Sequence, residues 1–280
     1  MNKEFSDILP AETALYGYTL QGLAGRTPQW VTYRATHDLL QCEVLLHEFY
    51  PQGCAARHAE SMLVMPVAGC ESAFMAALEK FGADIQLHAR VVHPQVCGVR
   101  FASSEEGLTF CVQAAPQGAT LYAALPVNAG EARLRPVLEQ ALELAQVAQE
   151  GGLSMSELTP SAFVLAQDGT LQLNLFGAAA PDAGAGYTAL ECVQQGGRRC
   201  CQSAVYTLGA IFYCLVTGQN PPAATTRMGR VDPYEPLATR ASLVGAYSRG
   251  FLESIDKALS LWVEDRWADF RAWGAALTKA

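Results

Sequence analysis

Residues 151–177, GGLSMSELTPSAFVLAQDGTLQLNLFG, constrain this chain more than any other stretch. Gly151 and Gly152 stop the helix before them, and Pro160 forbids a helix through the segment after them. Segments 162–165 and 171–175 are short and apolar, and the Asp168-Gly169 pair between them is a strong hairpin signal. The expected order is a helix end, an irregular loop and a small hairpin. Whatever surrounds this stretch has to hold that loop in place.

Before it, segments 14–20, 29–36 and 42–50 read as three strands, alternating or rich in β-formers. Residues 72–92 carry helical spacing that breaks near Gly82, and 96–102 with 108–114 read as a hairpin. Residues 115–118 read as a hinge. A helix is expected over 136–150, with Pro136 at its first position and Leu138, Ala141, Leu142, Ala145 and Ala148 on its apolar face. Residues 202–217 form another apolar helix that Gly218 ends, and further helices are expected over 251–262 and 267–279.

Several motifs in this order resemble the bacterial serine/threonine protein kinases. LQGLAGRTPQWVTYRA is similar to the family's glycine-loop hairpin, and VLLHEFYP to its lysine strand. His93-Pro94, the central stretch with Pro160, Asp168-Gly169 and Phe176-Gly177, GYTALE, and YTLGAIFYCLVTGQNPP come after them in register. The resemblance covers about 15–280. It implies an α+β, two-lobed protein-kinase-like fold. Residues 1–13 would lead into a small antiparallel β lobe with one helix (14–115), followed by a larger, mainly helical lobe (116–280).

The same register places unsuitable residues at the family's chemical positions. Gly25 keeps the first glycine, but Thr27, Pro28 and Trp30 occupy the rest of the loop. Pro28 has no N–H for a phosphate, and the Trp30 side chain is large. His47 stands for the phosphate-pairing lysine. Asp84, with Glu79 as the alternative, stands for its glutamate partner. Glu157 falls at the catalytic aspartate, Thr159 at the loop lysine, and Ala162 and Leu175 at the two metal ligands, where neither offers a side-chain oxygen. Ser156 replaces the arginine that receives an activating phosphate, Ala204 replaces the aspartate that steadies the loop, and 178–186 contain no Ser, Thr or Tyr. Met155 and Phe176, followed by Gly177, match apolar framework positions, and Glu191 and Arg266 match a structural ion pair.

The resemblance therefore implies a catalytically inactive relative, a pseudokinase serving as a protein-binding scaffold or allosteric regulator, with no cofactor or metal and no Mg·ATP binding. The alternative is an unconventional nucleotide-dependent transferase that uses Glu157. Alanine at His47 or Glu157 is expected to alter stability little. A net charge of −8 argues against nucleic acid as a partner, and no apolar run is long enough to span a bilayer. The nine cysteines lack a C-x-x-C pair and read as small hydrophobes of a reducing cytoplasm, with Cys200-Cys201 the one vicinal pair. The protein partner is not identified by the sequence.

Overall fold

The computed structural model describes residues 7–58, 61–105, 107–176, 185–194 and 196–278. The chain divides into two compact units, Met1–Pro116 and Gln117–Ala280.

The first unit is built on a six-stranded antiparallel sheet with strand order β1-β2-β3-β4-β8-β7. Its strands are β1 (Ala14–Leu15), β2 (Tyr18–Arg26), β3 (Trp30–His37), β4 (Glu43–Phe49), β7 (Val99–Glu105) and β8 (Leu108–Ala114). A separate hairpin, β5 (Ala55–Arg57) with β6 (Val64–Pro66), precedes helix α1 (Glu71–Arg90). Two expectations change here. Segment 14–20 is not one strand, because Tyr16 and Gly17 both take positive φ and fold Ala14 back onto Thr19. Helix α1 also runs unbroken through Gly82, where a glycine costs helix propensity without ending the helix.

Most of α1 is exposed, and two aromatic residues two turns apart hold it to the sheet. Phe74 and Phe81 are buried and pack on Phe49 with ring centroids 5.2 and 5.6 Å away. Trp30 joins them, 5.9 Å from Phe81. Such a contact buries the apolar part of each ring, worth roughly 1.5–3 kcal/mol per side chain.

The opposite side of β4 holds a buried ionic cluster. Glu48 is fully buried and takes two hydrogen bonds from Arg57, at 2.8 and 2.7 Å. The Tyr33 hydroxyl donates to the same carboxylate at 3.1 Å and accepts from the Leu9 N–H at 3.0 Å. Arg57 also donates to the carbonyls of Met62 and Asp7. The Asp7 carboxylate is bound in turn by the Tyr50 hydroxyl and by Arg26. Residues 7–9, read from sequence as part of a leader, thus belong to the packing of this unit.

The second unit is mainly helical. After β9 (Ala119–Thr120) come the short helix α2 (Leu121–Ala124) and the long α3 (Glu131–Glu150). A small sheet is next, in which β10 (Phe163–Leu165) pairs with both β9 and β11 (Leu171–Leu173). Then come α4 (Leu190–Val193), α5 (Cys201–Thr217), α6 (Ala224–Arg227), α7 (Arg249–Ala258) and α8 (Phe270–Leu277). Helix α3 starts at Glu131, more than a turn before the expected Pro136. The Glu131 carboxylate holds that first turn by accepting from the Ser248 hydroxyl and from Arg135, and Pro136 sits inside the helix. Ser248 caps α7, accepting from Phe251 N–H, so that helix starts two residues earlier than expected and ends sooner, at Ala258, while Asp269, accepting from Ala272 N–H, delays the start of α8 to Phe270.

Helix α5 is apolar nearly all round and buried along its length, as expected of a helix enclosed by its unit. Gly209 permits the close approach of α7: a Cβ there would lie 2.9 Å from that of Ala258. Gly218, at φ 71°, takes the left-handed conformation that ends the helix. No helix among the described residues is long and apolar enough to cross a membrane.

The Glu48–Arg57 pair gives a direct test. Removing one partner of a buried ion pair strands the other charge, at a cost of roughly 3–5 kcal/mol. Arg57→Met should show a loss of that size in urea unfolding, and Glu48→Met/Arg57→Met should recover most of it. Arg249→Met, which breaks an ion pair on the exposed face of α7, should leave the midpoint nearly unchanged.

Candidate functional site

In the first unit, Gly25 lies in the last part of β2, paired with Thr32. The turn beyond it, Thr27-Pro28-Gln29-Trp30, is closed on itself. The Thr27 N–H donates to the Trp30 carbonyl at 2.9 Å. The Thr27 hydroxyl oxygen accepts from the N–H groups of Gln29 and Trp30, at 3.2 and 3.0 Å. Pro28 contributes no N–H. The carbonyls face the other way and fasten the turn to the chain after β4: Tyr50 N–H donates to Gln29 and Gln52 N–H to Pro28. A loop that cradles phosphate has to present its amides outward. Every amide of this turn is already engaged within it.

His47 is completely buried on β4, on the face of the sheet that carries Phe49. Its Nδ1 lies 2.9 Å from the Thr32 hydroxyl oxygen on the neighbouring strand. Burial pushes its pKa down to about 3, against a hydrogen bond to the Gln113 side chain that favours the charged form. The imidazole is therefore neutral at pH 7. Gln113, also fully buried, comes from β8 on the other side. His88 of α1 is similarly held down to about 4, chiefly by burial. Asp84 does not pair with His47. It accepts from Lys80 one turn earlier on α1, at 2.9 Å.

These placements revise the expectation for His47→Ala. The sequence reading treats the residue as dispensable. The structure gives it a dry site and a hydroxyl partner, and leaving such a buried polar group without its partner costs roughly 1–3 kcal/mol.

In the second unit, the loop after α3 makes two 3-10 turns, first Met155–Glu157 and then Pro160–Ala162. Met155 is buried. The side chain of Glu157 lies outside the described residues, as does Gly177 together with 178–184. α5 packs against the first of these turns, and its Thr207 hydroxyl lies 3.3 Å from the Ser156 carbonyl oxygen and 3.1 Å from that of Tyr187. The Ser203 carbonyl of its own helix is as near, at 3.2 Å, so one hydroxyl proton is shared among three acceptors. Ala204, one turn earlier on α5, is buried and has no side-chain hydrogen bond to give. Sequence reasoning singled out Ala204 and missed Thr207, although both lie on the same stretch of α5.

The Thr159 hydroxyl pairs with that of Ser161 at 2.8 Å. Ala162 is buried, and its carbonyl accepts from the Asn174 N–H at 2.7 Å. β11 ends at Leu173, earlier than expected, so Leu175 and the buried Phe176 come after the strand rather than belong to it. The Asp168-Gly169 turn forms with the Thr170 N–H donating to the Asp168 carboxylate, which lowers the pKa of that group.

Glu191 and Arg266 form a bidentate ion pair at 2.8 and 3.1 Å. Arg266 also donates to the carbonyls of Ser260, Leu261 and Gln202, and its guanidinium lies over the Tyr206 ring. The Ser203 hydroxyl donates to the same carboxylate. Burial works to raise the Glu191 pKa, but the bonds from Arg266 and Ser203 outweigh it, and the carboxyl sits below its ordinary value.

The amides of the closed turn are engaged, His47 is neutral and enclosed, and Ala162 and Leu175 offer no side-chain oxygen. Among the described residues, no three His, Cys, Asp or Glu side chains gather in a group that could hold a metal ion.

The architecture is an α+β, two-lobed kinase-like fold. Among solved structures, the chain is similar to the apo form of PpkA-294, with a TM-score of 0.82 and 23% identity over 97% of this chain and 100% of that one. It is also similar to the PknI kinase domain of Mycobacterium tuberculosis, with a TM-score of 0.66 and 19% identity over 97% and 98% of the two chains. No family model and no curated protein matches the sequence.

The buried histidines set a pH dependence. His47 has its folded pKa depressed from 6.5 to about 3, and His88 from 6.5 to about 4. In that window the unfolded chain binds protons that the folded chain does not. Stability is complete above pH 6.5 and falls on acidification, by at most about 1.4 kcal/mol per pH unit for each histidine. Glu191 has the same sign of effect, but only below its ordinary value of 4.5. Urea unfolding between pH 7 and 5 should show this decline, and His47→Gln should flatten it while lowering stability at pH 7. An unchanged slope in that variant would contradict a buried neutral His47.

Proposed function

We propose that this chain is a pseudokinase: a kinase-like domain without phosphotransfer activity that acts as a scaffold or allosteric regulator by binding another protein. One observation carries the reading. At the position where the resemblance calls for a lysine facing phosphate, the chain has an imidazole that is buried, hydrogen-bonded to Thr32 and neutral at pH 7. Phosphoryl transfer depends on positioning and on neutralising charge around Mg²⁺. Ala162, Leu175 and the closed Thr27–Trp30 turn remove the other means of doing so.

The framework, by contrast, is fully furnished. The Glu191–Arg266 pair, the Thr207 hydroxyl and the Phe74 and Phe81 anchors all stabilise the fold independently of any nucleotide. A chain that keeps its scaffold and loses its charge-bearing groups is suited to presenting a surface. Its net charge of −8 disfavours nucleic acid as the ligand, so we assign the partner to the protein class, in the cytoplasm.

Thermal melting with and without millimolar Mg·ATP tests this function. A ligand at about 100 times its Kd adds ~2.7 kcal/mol of stability. The expected result is no shift, together with no phosphate or AMP transferred from radiolabelled ATP. A magnesium-dependent rise in melting temperature, or labelled protein, would overturn the reading.

A further inference from the structure

Cys54 and Cys70 are far from neighbours in sequence, but the β5–β6 hairpin brings them together. Ala55 pairs with Pro66 at the open end of the hairpin. One residue further out, the Val67 N–H donates to the Cys54 carbonyl at 2.9 Å, and the Cys70 N–H then turns back onto the Val67 carbonyl at 2.9 Å. The Cys70 Sγ reaches 4.0 Å from the carbonyl oxygen of Gly53, the residue beside Cys54. The neighbouring Cys54 side chain, ahead of desolvation, pushes the Cys70 thiol above its ordinary value.

Both cysteines are free and partly exposed, whereas Cys97 and Cys111 are buried away from any reagent. The vicinal pair is differently arranged. Cys201 donates to the Gln149 side chain at 3.2 Å, and Cys200 lies 3.4 Å from the Ser203 hydroxyl, so its two sulfurs serve separate partners.

We propose that Cys54 and Cys70 are a redox-modification site, forming a reversible disulfide that fastens the start of α1 to the β5–β6 hairpin. The oxidant is a peroxide. One thiolate attacks the O–O bond, giving a sulfenic acid and releasing hydroxide. The second thiol then displaces that hydroxyl group as water and forms the S–S bond. The sum is two thiols and one hydrogen peroxide giving one disulfide and two waters. A dithiol reductant reverses it by exchange. Because Cys70 immediately precedes Glu71, the first residue of α1, the bond acts on that helix directly. The site stands apart from the pseudokinase reading, since none of the positions on which that reading rests takes part.

Mass-spectrometric mapping of the reduced protein, treated with graded hydrogen peroxide and then alkylated, tests the proposal. The expected first product is a peptide pair joined through Cys54 and Cys70, with two thiols lost and a melting temperature raised by several degrees. Dithiothreitol should restore the starting state. Cys70→Ser should abolish both the linkage and the shift. A first disulfide between other cysteines, or both Cys54 and Cys70 still open to alkylation after two thiols are lost, would overturn it. Phenylarsine oxide, which bridges adjacent thiols without oxidising them, gives a check on the unmodified protein. It should protect Cys54 and Cys70 together, and free alkylation of both in its presence would contradict the proximity itself.

Discussion

Strand β4 is sealed on both faces over two successive residues, and much of the first unit depends on that. On one face His47 has to be neutral and hydrogen-bonded, because the dry surroundings that accept Phe49, Phe74 and Phe81 do not accept a cation. On the other face Glu48 is as deeply buried, and Arg57 meets its carboxylate with both terminal guanidinium nitrogens. A lysine at position 47 would need an exit to solvent or an acid to pair with. Asp84 is engaged with Lys80 instead. The ionic partner at this point of the sheet is one residue along and on the opposite side.

The second unit separates structure from chemistry in the same way. One of its polar clusters centres on the Arg266 guanidinium, which ties Gln202 and Ser260-Leu261 to Glu191. That cluster and the Thr207 hydroxyl hold the loop after α3 and the start of α5 in place. At Ala162 and Leu175 the side chains offer no ligand, although the backbone there is fixed by the Asn174 N–H bonded to the Ala162 carbonyl. The proposed scaffold role rests on that division between a well-bonded frame and uncharged positions within it.

The sequence carried the element order well where local chemistry decides it. Gly151-Gly152, Pro160, Asp168-Gly169 and Gly218 each act through the backbone within a few residues, and the structure bends the chain at all of these places. Other features depended on distant contacts. Pro136 reads as a helix start until Ser248, far along the chain, is found bonded to Glu131 and holding an earlier turn. Tyr16-Gly17 reads as strand because the turn is set by pairing with β2. Successive strand residues face opposite sides of a sheet, so His47 and Glu48 meet different surroundings. Both are buried because α1 covers one face while residues 7–9 and Arg57 cover the other. The approach of Cys70 to the Gly53-Cys54 peptide likewise depends on a hairpin that the reading of strands did not include.

The state of one imidazole decides most here, and NMR titration of ¹⁵N-labelled histidine observes it directly. With resonances assigned through His47→Gln, His47 should remain neutral from pH 8 down to about pH 4, since its pKa is held at about 3. Addition of Mg·ATP should leave its shifts in place. A His47 resonance that titrates near 6.5, or that moves with Mg·ATP, would place the residue in contact with solvent or nucleotide and contradict the sealed strand at the centre of the first unit.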